Sequence, residues 1–107
     1  MPLSQPVGEP QTFVIKNTDG SEVWIDPAVY GDVLDPSGFG TQIDACDEHA
    51  FHLFLGSADA IFTFDGGAWV IDIVGDLEPE VSQMFIAMVA DQIATATGKH
   101  VEWSVRA

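Results

Sequence analysis

Apolar positions along the chain fall into short runs with a two-residue period, followed by one long run with a helical period. Residues 12–16 and 22–26 read as strands. Asn17, Thr18, Asp19 and Gly20 between them form a turn sequence, so the two runs predict a first hairpin. Residues 49–55 alternate, with Phe51, Leu53 and Leu55 on one side and His52 and Phe54 on the other. Residues 60–64 and 68–74 follow as two more strands, joined by Asp65, Gly66 and Gly67, a tight-turn sequence. In the second of these, Trp69, Ile71 and Ile73 alternate with Val70, Asp72 and Val74. Connections this short predict an antiparallel meander.

Residues 27–47 stand apart. Pro27, Gly31, Pro36, Gly38 and Gly40 interrupt any period, although 28–34 has room for a helical turn or two. Irregular segments of this length in a small domain tend to be functional or mobile.

The helical period starts after Pro79, where a first-turn proline is tolerated. Asp76, Glu78 and Glu80 lie at the positive end of the helix dipole. Val81, Met84, Phe85, Met88, Val89, Ile93 and Ala96 predict an apolar stripe, and Gly98 predicts the stop. Ile86, Ala87, Ala90 and Ala94 widen that apolar character. This predicts a helix buried on more than one side, with residues 79–97 available for a homodimer or another partner. Residues 100–107 read as a last strand with Val101, Trp103 and Val105 inward. The expected fold class is therefore α+β: a mostly antiparallel sheet of about five to six strands with one long helix packed on one face. It occupies residues 12–107, after a proline-containing flexible tail over 1–11.

Composition makes a folded core the expectation, because 47% of the residues are apolar and Phe and Trp are abundant. Charge adds the more specific information. The net value is −14, and no Lys or Arg occurs from residue 17 to residue 98. All the carboxylates except Glu9 and Glu102 lie in that stretch. With Lys16, Lys99 and Arg106 as the complete set of strong cations, direct binding to nucleic acid phosphates is excluded. The N-terminal residues have neither a basic region nor an apolar run, and no segment approaches the roughly 20 apolar residues of a membrane span. Cys46 is the one cysteine, so no intramolecular disulfide forms. These features predict a cytoplasmic protein.

Candidate chemistry is thin. Asp44, Cys46, Asp47, Glu48, His49 and His52 include metal-ligand types, with Cys46, His49 and His52 in a C-x2-H-x2-H spacing. On a strand, however, His49 and His52 point to opposite faces. A Cys46–His pair lacks an activating environment, because neighbouring carboxylates raise a thiol pKa. A calcium loop counted from Asp35 fails at Phe39 and Cys46. Asp72, flanked by Ile71 and Ile73, reads as the wet face of a half-buried strand. No cofactor, metal or catalytic site is expected.

The excess of one charge sign is the remaining signal. The first reading is a stoichiometric inhibitor that covers the basic groove of a nuclease, a toxin or a nucleic-acid-guided complex, with DNA mimicry, carboxylates placed where phosphates would lie, as one form of it. Toxin-immunity proteins, anti-CRISPR proteins and DNA mimics share this small acidic profile as a matter of composition. The expected binding residues are Asp26, Asp32, Asp35, Asp44, Asp47 and Glu48, with Trp24, Tyr30 and Phe39 as exposed aromatic anchors. The alternatives are a structural or adaptor subunit that assembles through its apolar helix, and a salt-adapted domain of unrelated function.

Overall fold

The computed structural model describes residues 11–35, 42–46, 50–56 and 58–106. Six strands form one antiparallel sheet: β1 (Gln11–Asn17), β2 (Gln42–Cys46), β3 (Ala50–Phe54), β4 (Ala58–Asp65), β5 (Ala68–Gly75) and β6 (Val101–Arg106). Their order across the sheet is β2-β3-β4-β5-β1-β6. The long helix α2 (Pro79–Thr97) and a short helical piece lie on one face. The short piece is 3-10 over Pro27–Val29 and α-helical over Tyr30–Val33 (α1). The α+β architecture expected from the hydropathic pattern is the one found.

Alternation along each strand explains why the sheet has one dry face. The residues facing the helix align in rows across the strands. Phe51 opposes Phe62, Phe62 opposes Ile71, Ile71 opposes Phe13, and Phe13 opposes Val105. A second row runs Phe64, Trp69, Ile15, Trp103. Aromatic edge-to-face contacts run along the first row and join it to the covering helix, with ring centroids 5.6 Å apart for Phe51–Phe62 within the sheet and 6.1 Å for Phe62–Phe85 between sheet and helix. Burying each such side chain stabilises the fold by about 1.5–3 kcal/mol.

The meander β3-β4-β5 is as the pattern predicts. Its tight turn places Gly66 and Gly67 at φ 62° and 83°, the left-handed pair that a two-residue hairpin demands. The predicted first hairpin is not formed. Both sides of β1 are taken, by β5 and by β6, so no edge is left for residues 22–26. That segment is extended but crosses over the sheet. Val23 and Ile25 drop into the core, while Glu22, Trp24 and Asp26 face solvent. A two-residue period is the signature of any half-buried extended chain, so it did not distinguish this crossover from a strand. Residues 27–47 also contain more regular structure than expected, since β2 lies within them and pairs with β3 through a bulge at Ile43–Ala45.

The helix begins at Pro79 and stops at Gly98, whose left-handed φ of 70° and N–H bond to the Ala94 carbonyl (2.9 Å) close it. Its buried stripe is rotated from the predicted one. Ser82, Phe85, Ile86, Val89, Ala90 and Ile93 are buried, whereas Met84 is 61% exposed and Met88 and Ala96 are also on the outside. Ser82 fits the inner face because its hydroxyl donates to the Glu78 carbonyl. Ile86 and Ala90, read from sequence as surplus apolar surface for a partner, belong to the chain's own core. Val105 differs as well. It is 59% exposed because β6 is the edge strand.

Ile86→Ala is expected to lower unfolding stability by about 2–4 kcal/mol in urea titration. Met84→Ala, on the outer face, is expected to change it by less than about 0.5 kcal/mol.

Candidate interaction surface

The charged side chains divide between the two layers. The open face of the sheet carries Lys16 and Arg106 beside the carboxylates of Asp59, Asp72 and Glu102, and Lys16 lies 3.7 Å from Glu102. The covering layer and its connections carry Asp19, Glu22, Asp26, Asp32, Asp76, Glu78, Glu80 and Asp91, all exposed, against Lys99 alone among the described residues. The helical side is therefore the strongly negative one, and a field of one sign accelerates encounter with a cationic surface.

The crossover at residues 21–26 is held on this side by specific bonds. The Trp69 indole N–H donates to the Val23 carbonyl at 2.9 Å from inside the core. The Val23 N–H donates to the Gly67 carbonyl at 2.8 Å. At the start of the segment, the Asn17 side-chain amide donates to the Ser21 hydroxyl and to the Glu22 carbonyl, both at 3.0 Å. These bonds fix the alternation, so Trp24 projects outward and is 61% exposed between Glu22 and Asp26. Asp26 caps the next turn by accepting from the Ala28 N–H at 3.0 Å.

Asp19 sits beside this segment. The Ser21 hydroxyl (2.6 Å) and the Ser21 backbone N–H (2.8 Å) both donate to its carboxylate, and Lys99 approaches to 3.9 Å. The Ser21 hydroxyl bond, then its backbone bond, hold the Asp19 carboxyl below its ordinary value against a small opposing effect of burial, and Lys99 adds to the lowering. A lowered carboxyl contributes stability above its ordinary titration range. That contribution is lost as pH falls through the folded-state value.

The other anticipated binding residues are distributed unevenly. Asp32 is exposed on α1, and Asp35 is half-buried just beyond it, where the Gln92 amide reaches its carbonyl. Tyr30, expected as an exposed anchor, is instead 2% exposed. Its ring packs edge-on between Phe51 (6.0 Å) and Trp69 (5.4 Å), so it is a core residue. An aromatic among glycines and aspartates offered no periodicity to reveal this. Asp44 lies on β2 at the bulge. Phe39, Asp47 and Glu48 lie outside the described residues, as do His49 and residues 1–10 of the expected tail. Gln11, the last residue of that expected tail, is the first residue of β1.

Two sites weighed for chemistry are on the open face. The His52 Nε2 lies 3.1 Å from the Asp59 carboxylate on the neighbouring strand. Asp72 is half-buried and accepts from the Thr12 hydroxyl at 2.7 Å, with Arg106 across the next strand from Thr12. A groove here is lined by Asp72, Thr12 and Arg106 together with Gln83 of the helix, so its lining holds a cation and, among the described residues, no second acid. Among the described residues, no three His, Cys, Asp or Glu side chains come together as a metal site, and no helix is long and apolar enough to cross a membrane.

No protein-family model, curated protein or solved structure matches the chain.

Of the three tryptophans, Trp24 alone is mostly exposed, and it is flanked by carboxylates. Caesium ion is expected to quench the fluorescence more strongly than iodide at low ionic strength. Trp24→Phe should remove most of that difference in a Stern–Volmer measurement. In a carbon-detected NMR titration, Ser21→Ala should move the Asp19 midpoint up toward its ordinary value.

Proposed function

We propose that this chain is a non-catalytic binding protein that seats its acidic helical side on a basic protein surface. The partner class that fits is a nucleic-acid-handling protein, such as a nuclease, a toxin or a nucleic-acid-guided complex, and the effect is stoichiometric inhibition. The observation that carries the reading is the separation of charge. Exposed carboxylates populate one layer with almost no counter-ions, around an outward-facing tryptophan on a bonded segment. Solubility alone is served by mixed charges and a smaller net value. Unneutralised carboxylates repel one another, and a cationic partner would relieve that repulsion. Anti-CRISPR-like and toxin-immunity-like action, including mimicry of a phosphate array, belongs to this reading, and so does a cytoplasmic setting where such targets work.

A second reading has its own observation. Met84 (61% exposed) and Met88 (38% exposed) stand one helical turn apart on the outer face of α2. Flexible thioethers on a surface suit an adaptable protein contact, which supports an adaptor subunit or a homodimer through the 79–97 helix. The third alternative, salt adaptation, would leave the charge unrelated to any partner.

Two measurements separate these readings. The first is titration against basic nucleases and nucleic-acid-guided complexes, with cleavage of labelled DNA as readout. One-to-one inhibition that weakens with added salt is expected, and Asp26→Lys with Asp32→Lys should weaken it about tenfold or more. Inhibition untouched by that double change, with assembly lost instead on Met84→Glu and Met88→Glu, would favour the adaptor. The second is unfolding followed from low to molar salt. Cooperative folding at low salt is expected, and a requirement for molar salt would support salt adaptation instead.

A further inference from the structure

We propose that the groove beside Trp24 is the seat for an arginine side chain of the basic partner. A cavity of about 450 Å³ opens here between the crossover segment and the end of α2, lined by Asn17, Glu22, Trp24, Asp26, Val29 and Ala96. The proposal rests on the acidic-surface reading above and names the chemistry of one contact within it.

Three independent features of the lining select the same ligand group. Trp24 offers an exposed indole, the best aromatic face for a cation. Glu22 and Asp26 flank it on the same extended segment and offer carboxylate oxygens to a planar donor, although Asp26 Oδ1 already accepts from the Ala28 N–H. Among the described residues neither is in an ion pair. The third feature is Asn17. It is 2% exposed, its amide nitrogen is fully used by Ser21 and Glu22, and its Oδ1 is buried without any hydrogen-bond donor. An unsatisfied buried acceptor is an uncommon and costly feature; Asn17 is a lining residue of the groove, and a small side-chain shift would bring this oxygen to a donor seated there. A ligand that stacks on an indole, pairs with carboxylates and carries several N–H donors is a guanidinium. An ammonium lacks the planar fork and stacks less well.

Lys99 also lines the groove, and its position is compatible with such a ligand. Its ammonium is tethered at one end, donating to the Ser21 hydroxyl at 3.0 Å and lying 3.9 Å from Asp19. It therefore meets its own local acceptors and leaves Glu22 and Asp26 to the ligand. Val29 and Ala96 supply apolar wall for the aliphatic stem of an arginine.

The test uses the full chain and the peptide acetyl-Gly-Arg-Gly-Arg-Gly-amide, followed by proton–nitrogen NMR. The Trp24 indole and Asn17 side-chain amide signals are expected to move, while the buried Trp69 indole stays still. Trp24→Ala should weaken binding about tenfold, as should Glu22→Gln with Asp26→Asn. Glu102→Gln on the open face should change it by less than about twofold. All these positions are solvent-exposed, so the variants keep the fold, which circular dichroism checks. The assignment is overturned if the groove variants bind within twofold of the native chain. It is also overturned if the matching lysine peptide binds equally well, or if the same signals move with protein concentration alone, which would make a second copy the occupant. Poly-lysine distinguishes the two levels of the argument. If it binds while the arginine peptide does not, the groove assignment falls and the acidic-surface reading stands. If neither binds, both fall.

Discussion

The bond from the Trp69 indole to the Val23 carbonyl is the constraint on which the candidate interaction side of the molecule depends. Trp69 is fully buried in the middle of the sheet and has one polar atom that must find an acceptor. It finds one in the backbone of a segment that has no ladder of its own. That bond draws the 21–26 crossover onto the sheet, sends Val23 and Ile25 inward, and so sends Glu22, Trp24 and Asp26 outward. The exposure of Trp24 is thus a consequence of how a different tryptophan is satisfied. The Tyr30 ring against the same indole extends the anchor into α1, and the Gln92 amide ties the end of α1 back to the long helix.

Much of the scaffold was legible in the sequence because one physical rule governs it. Strands β3, β4 and β5 alternate cleanly, their turns carry glycine where φ is positive, and α2 is bracketed by Pro79 and Gly98. Legibility fails where two structures share one pattern. Residues 22–26 have the period of a strand and are an extended cover. In α2, so many positions are apolar that the stripe through Met84 and Met88 competes with the true one through Ser82, Ile86 and Ala90, and only the packing partner decides. Ser82 was the least readable, since its inward placement depends on a bond to its own helix.

The candidate surface was legible as charge and not as shape. A stretch without lysine or arginine is visible in any reading of the chain. That more of its exposed carboxylates lie on the helical side among the described residues, while Lys16 and Arg106 share the open sheet with Asp59 and Asp72, follows from strand order and cannot be read from spacing. Trp24 stood out by its acidic neighbours and is exposed, whereas Tyr30 stood in similar company and is core. Asn17 had a turn role in the sequence, and its unsatisfied oxygen emerges only when its amide is seen clamping Ser21 and Glu22.

The place of β1 has a consequence for synthesis. This first strand is bonded on one side to β5 and on the other to β6, the last strand of the sheet, with Asn17 opposite Val101. Contacts that span most of a chain form slowly, because the intervening loop must close before they contribute. While the ribosome is still making α2, the β6-facing side of β1 is an open edge beside a neighbour rich in valine and isoleucine. The high negative charge would then act during synthesis itself, keeping nascent copies apart until residues 101–106 emerge and the edge is filled.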